Sequence, residues 1–243
     1  MSDEDDDNGD IERLRAFGLG GEDFTAWRES GLPGDAFEDW LTDRVARRPS
    51  GSRARQVYGA EDVHDFAGHA ILDALALGPS DHLLELGCGG GLLLREALES
   101  GARATGLDHS AEMVTLARQR APSAEVVHAQ AERLPFANDT FSAVAMSVVF
   151  FFFFFFFFFF FFFFLDDPLA VLRECRRVLR PGGRLAVYTT APELRGTPAA
   201  PEPIESRGHF YADEELSELA RNSELRNVTV RNDRGGQLLI ARA

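Results

Sequence analysis

The sequence predicts an α/β protein: a mostly parallel sheet of seven strands with helices on both faces, preceded by a helical N-terminal cap. Three observations carry that prediction. From about residue 60 onward, short apolar runs alternate with amphipathic stretches of ten to twelve residues, the pattern of βαβ units. A glycine-rich turn, "LLELGCGGG", follows the first apolar run, and Asp108 closes the second.

The elements follow in order. Residues 1–10, "MSDEDDDNGD", predict a disordered acidic tail; their charge is wrong for a secretory signal. Residues 11–58 predict the helical cap, where "DAFEDWLTDRVARR" sets Phe37, Trp40, Leu41 and Val45 on one helical face. Residues 59–243 form the α/β domain. It opens on a helix with Val63, Phe66, Ala67, Ala70, Ile71 and Ala74 in register. Strands are expected at 82–87, 104–108, 124–130, 141–149 and 184–190, then at "NVTVRN" and "GQLLIAR". Helices are expected over Gly91–Ser100, Ser110–Arg120 with Ser110 as N-cap, Pro168–Leu179 ended by "RPGG", and Asp213–Asn222.

Composition removes several function classes. The net charge is −14, and all 25 basic residues are arginine. Such a surface repels phosphate backbones, so no nucleic-acid partner is expected. Two cysteines, Cys88 and Cys175, make no disulfide framework and show no metal-ligand spacing. A cytoplasmic location follows as the expectation.

Fifteen consecutive phenylalanines, Phe150 to Phe164, interrupt the domain. From Ala143 to Leu165 only Ser147 is polar, and as a helix this stretch would reach ~34 Å, enough for a ~30 Å hydrocarbon core. Its position argues against a span. A membrane crossing there would part the first four strands from the last three, and the sheet would not close. As one strand the run would reach ~50 Å, far beyond the usual five or six residues, so most of it must leave the sheet. The run is read as a homopolymer expansion, with no membrane partner.

The chemistry gathers at the turn. Glu85, Gly87, Gly89 and Gly91 spell E-x-G-x-G-x-G between a strand and a helix. Glycines are needed where the chain bends sharply and a ligand lies on the backbone. Leu92 stands where the third glycine of a dinucleotide turn belongs, which disfavours a pyrophosphate guest. Asp108 lies 23 residues after Glu85, and a carboxylate there can accept two hydrogen bonds from a ribose diol. The plain alternatives are a glycine-rich surface turn and an acid that caps a strand end.

"LLELGCGGG", "GLDHSAEMV", "AERLPFANDTFSAV" and "LRECRRVLRPGGRLAVY", taken together, resemble the successive motifs of class I S-adenosylmethionine-dependent methyltransferases, closely over about residues 60 to 190. The resemblance implies a Rossmann-like fold and S-adenosylmethionine as cofactor. It implies that Glu85 holds the methionyl amino group and that the Gly87–Gly91 turn, with Cys88 inside it, lies under methionine and ribose. Asp108 would take the ribose hydroxyls, and His109 and Met113 would flank the adenine. Gln130 stands where the family often has aspartate, with its amide oxygen facing the adenine amino group; the Ala131 N–H would meet the ring.

No catalytic residue is legible. His64, His69, His209, Tyr58 and Tyr211 are the titratable candidates, and "SRGHFYADEEL" after the fifth strand places His209 and Tyr211 where substrates commonly meet this fold. The expectation is methyl transfer to a small-molecule substrate. The alternative is a non-catalytic or NAD-type nucleotide-binding module. The acceptor and the oligomeric state are not written in the sequence.

Overall fold

The computed structural model describes residues 3–44, 50–59, 66–149, 159–160, 165–197, 200, 202, 204–233 and 236–243. Four helices come first: α1 (Asp3–Ala16), α2 (Gly21–Glu29), α3 (Phe37–Thr42) and α4 (Gly51–Gly59). The acidic stretch expected as a disordered tail is thus helical from Asp3 on. One tie lies near its end, where the Trp27 indole Nε1–H donates to Asp10 Oδ2 at 2.9 Å. Leu14, Phe17, Leu19, Trp27, Phe37 and Leu41 form a small core of their own, with Trp27 edge-on to Phe37 at 5.1 Å. Asp23 is buried in it, and its Oδ1 accepts from Arg44 Nε at 2.8 Å. Of the apolar face expected on α3, Phe37 and Leu41 are buried and Trp40 is partly so, while Val45 lies outside the described residues.

The domain begins with α5 (Phe66–Leu75) and β1 (His82–Leu86). There follow α6 (Leu92–Glu99), β2 (Arg103–Asp108), α7 (Ala111–Arg120), β3 (Glu125–His128), β4 (Phe141–Met146) and α8 (Pro168–Val178). β5 (Leu179–Thr190), the single turn α9 (Ile204–Arg207), α10 (Asp213–Asn222), β6 (Arg226–Asp233) and β7 (Gly236–Arg242) complete it. The sheet has seven strands in the order β3-β2-β1-β4-β5-β7-β6. β1 to β5 are parallel, and β7 runs antiparallel to both β5 and β6. The predicted architecture is the one observed.

Strand alternation divides the core. On β4, Ala143 and Ala145 face one layer with α5, α6 and α7, while Val144 and Met146 face the other with α8 and α10. Burial on both faces explains why these strands read as mostly apolar runs with little alternation. Helix starts are set locally. Ser110 Oγ accepts from Met113 N–H, and Asp167 Oδ1 accepts from Ala170 N–H at 2.9 Å with Pro168 at the first helical position. Gly106, in mid-strand, keeps the layers close: a Cβ there would stand 2.5 Å from Leu94 Cδ1 and 2.9 Å from Cys88 Sγ.

Two expectations are corrected in detail. "RPGG" is no free turn, because β5 starts at Leu179 and its pairing with β4 slips between Phe141↔Leu179 and Ala143↔Arg184. Gly182, at φ +78°, takes the extra residues as a bulge; its N–H donates to Ala243 O, and Ala243 N–H donates to Gly183 O, both at 3.0 Å. β4 ends at Met146, short of the expected 149. Val148 and Val149 pair instead with Phe160 and Phe159, antiparallel and outside the main sheet. The rest of the phenylalanine run lies outside the described residues. Among the described residues no helix is long and apolar enough to cross a membrane.

Candidate functional site

The strand order reverses between β1 and β4, and in open α/β sheets ligands bind beyond the strand ends at such a switch point. β1 delivers Glu85 and the glycine turn to this place. Gly87, Gly89 and Gly91 all take positive φ, +68°, +48° and +78°, a region nearly closed to side-chain-bearing residues. The turn is tied to β2: Gly87 N–H and Cys88 N–H both donate to Leu107 O, at 2.8 and 3.0 Å. Gly91 then starts α6 from a left-handed cap.

The acid of β2 meets this turn directly. Asp108 Oδ2 accepts from Gly89 N–H at 2.9 Å, and its Oδ1 accepts from Ser110 N–H at 2.8 Å. Asp108 is 6% exposed and Glu85 2%. Burial raises the Asp108 pKa above the ordinary carboxylate value, against the opposing pull of Ser110 N–H, His109, Gly89 N–H and His128. The Cys88 thiol is pushed well up by burial, then by the charges of Glu85 and Asp108, so it is no nucleophile near neutral pH. The site is therefore a bare backbone turn beside two buried acids. Such a locus attracts a cationic guest and offers a carboxylate to hydroxyl donors.

The N-terminal cap reaches the same turn, through a contact at Tyr58 that no local pattern marks. A Cβ on Gly89 would lie 3.1 Å from Tyr58 Cδ1, and one on Gly90 only 2.2 Å from Tyr58 O. Arg120 Nη1, on α7, donates to Tyr58 O at 2.7 Å and to Gly90 O at 2.9 Å. Gly51 N–H donates to Glu112 Oε2 at 2.9 Å, so α4 is held on α7 at both ends. Burial, then the charge of Asp108, pushes the Tyr58 phenol well above its usual value.

A family model described as a methyltransferase domain matches residues 84–187, the stretch that holds the turn, Asp108 and the strands between. Over those residues the chain carries a methyltransferase domain, and its fold is that of S-adenosylmethionine-dependent methyltransferases. It is 34% identical over 152 residues to a demethylmenaquinone methyltransferase of Beutenbergia cavernae, covering 63% of this chain and 56% of that one. The chain spans about half the length of the curated relatives it matches. The fold is shared with a methyltransferase of Aquifex aeolicus (TM-score 0.60, 19% identity, 79% of this chain and 96% of that one). It is shared also with phosphoethanolamine N-methyltransferase 2 of Haemonchus contortus, solved with S-adenosylmethionine (TM-score 0.62, 19% identity, 83% and 46%). S-adenosylmethionine is the cofactor of this methyltransferase family.

The remaining predicted residues are scattered in exposure. His109 follows Asp108, and its Nε2 is buried without a hydrogen-bond partner among the described residues; its carbonyl accepts from His128 Nε2 at 2.8 Å. Met113 is wholly buried on the inner side of α7, Gln130 is exposed, and Ala131 is buried against the α8 side of the sheet. His209 is exposed and stacks on Tyr211, ring centroids 5.9 Å apart. Burial, then Glu215, pushes the Tyr211 phenol up to about 12, which makes it a hydrogen-bond donor at neutral pH and not a base. His69 is exposed on α5, 4.0 Å from Glu96 Oε2, and His64 lies outside the described residues. Cys175 is core.

Proposed function

We propose that this methyltransferase-family chain transfers the methyl group of S-adenosylmethionine to a small-molecule acceptor. The contact between Gly89 N–H and Asp108 Oδ2 at 2.9 Å carries the reading, because it joins the turn and the acid into one seat. The residues fit the cofactor. The Tyr58 ring lies over Gly89, 3.1 Å from where a Cβ would stand, so the cofactor must displace it; Asp108, with one bond accepted per oxygen, keeps lone pairs for two ribose hydroxyls. Glu85 suits the methionyl ammonium, with the Gly87–Gly91 turn and Cys88 beneath methionine and ribose. His109 and Met113 would flank the adenine, with Gln130 and the Ala131 N–H at its edge. His209 and Tyr211 are proposed on the acceptor side.

When bound, the cofactor supplies a methyl group on a sulfonium centre. The chain's own part is to bind, to exclude water and to align the acceptor within ~3–3.5 Å of in-line attack. The name of the Beutenbergia relative supports a quinol-type aromatic acceptor as the first to test.

Calorimetry with S-adenosylmethionine, S-adenosylhomocysteine and NAD tests the seat, and transfer of labelled methyl to 1,4-dihydroxynaphthalene and a metabolite panel tests the reaction. Binding of NAD alone would replace this proposal with the dinucleotide module. Cofactor binding without transfer to any acceptor would favour a binding-only module.

A further inference from the structure

Buried polar atoms without a hydrogen-bond partner collect at one edge of the sheet. Ser147 follows β4, Thr189 and Thr190 end β5, and Gln237 opens β7. Thr189, Thr190 and Gln237 are 0% exposed and Ser147 7%, yet Ser147 Oγ, Thr189 Oγ1, Thr190 Oγ1 and Gln237 Oε1 have no hydrogen-bond partner among the described residues. A core rarely leaves such atoms without a purpose. This is the edge that carries the glycine turn. With strands ~4.8 Å apart, β5 stands ~10 Å and β7 ~14 Å from β1, the reach of a small acceptor lying beside the cofactor seat.

Thr189 and Gln237 form the coherent pair. They are direct cross-strand partners, so their Cβ atoms lie ~4.5–5.5 Å apart on one face. Chemistry fixes the Gln237 amide: Nε2 donates to Asp213 Oδ1 at 2.6 Å, and a carboxylate only accepts. Oε1 is therefore turned away from Asp213, an acceptor in want of a donor. The Thr189 hydroxyl beside it can give or take a hydrogen. A guest here must bring an N–H or O–H for Gln237 and a second polar atom for Thr189. With the Asp213 carboxylate adjoining, an anionic guest is repelled.

We propose that Gln237 and Thr189 anchor the methyl acceptor, selecting a neutral hydroxyl- or amine-bearing molecule over a carboxylate or phosphate. This rests on the methyl-transfer reading above. Thr189→Val removes the hydroxyl at nearly constant shape, and Thr189→Ser restores it.

The test uses the full chain and two probes, 1,4-dihydroxynaphthalene and its 2-carboxylate. Thr189→Val should keep the melting temperature and the S-adenosylmethionine affinity while kcat/KM for the neutral diol falls roughly 10- to 100-fold. Thr189→Ser should recover most of the loss, and the carboxylate should be the poorer substrate of the wild type. A lower melting temperature in ligand-free Thr189→Val would overturn the proposal, since the hydroxyl would then serve the fold through a buried water. Unchanged kcat/KM, or preference for the carboxylate, would overturn it too. If the wild type methylates neither probe, the acceptor class under Proposed function fails, and calorimetry of the diol decides the anchor separately. Binding that Thr189→Val weakens sustains it; equal binding, or none, ends it.

Discussion

Gly90→Ala is the sharpest probe of the contact between cap and turn. Gly90 has an ordinary negative φ, unlike its neighbours, so alanine brings no backbone strain and the effect is purely one of space. The new Cβ would stand 2.2 Å from Tyr58 O and 2.8 Å from Arg120 Nη1, where carbon needs about an ångström more. Relief requires α4 to lift from the turn. The Arg120 bonds to Tyr58 O and Gly90 O, now 2.7 and 2.9 Å, would then be broken or stretched. A hydrogen bond from a charged donor contributes about 1.5–3 kcal/mol, and overpacking costs about 1–3 kcal/mol, so a loss of roughly 2–5 kcal/mol in cap docking is expected. Both tryptophans, Trp27 and Trp40, sit in the cap, so fluorescence follows the cap while far-UV circular dichroism follows the whole chain. In urea the variant should show its fluorescence transition moved to lower denaturant ahead of the dichroism transition. Coincident transitions at the wild-type midpoint would refute the contact.

Further outcomes are expected at Asp108, at Asp81 and in the phenylalanine run. Asp108→Ala should weaken S-adenosylmethionine binding by about 1–3 kcal/mol in calorimetry through loss of the ribose bonds; in the wild type the raised Asp108 pKa means that affinity should decline on acidification before the pH reaches the ordinary aspartate value near 3.9. That same raised pKa makes the ionised form a cost to the ligand-free fold, so its contribution to stability should fall as pH rises through the shifted value. At the opposite end of the sheet, burial alone would raise Asp81, but bonds from Arg184, Ser142 Oγ–H and Gly78 N–H hold its pKa below normal. Its stabilisation should therefore be present above the unfolded value and be lost as pH falls through the lowered one, and Asp81→Asn should lower stability by about 1–3 kcal/mol in chemical denaturation. Cutting Phe150–Phe164 to three phenylalanines should leave cofactor affinity intact and raise solubility; loss of binding in the short form with an active, soluble long form would show the run to be needed.

The fold was legible because its signals are local and periodic. β1 and β4 are short, mostly apolar runs, α7 begins at a serine that does cap it, and α10 spans the very residues its pattern marked, Asp213–Asn222. The turn and Asp108 were legible since glycine after a strand and acid at a strand end have few other uses together. What escaped depends on tertiary contact. Nothing in "RQRAP" marks Arg120 as the clasp on Tyr58 O, and no spacing rule sets Thr189 opposite Gln237 across an antiparallel pair. Gly106 in "ATGLD" was a readable hint of close approach, as mid-strand glycine is. The bulge at "RPGG" was missed because proline and glycine signal a turn whether or not a ladder resumes beyond them.

The placement of β5 and β7 bears on how the chain is made. Vectorial synthesis delivers β1 to β4 first, with the flank of β4 bare, and next the fifteen phenylalanines. The partner for that flank emerges only afterwards, and its own outer neighbour, β7, is the last strand to appear. During this interval a naked strand margin and a greasy homopolymer are offered together to other nascent chains. Yield in the cell should therefore depend on translation speed and chaperone supply more than on the stability of the finished molecule.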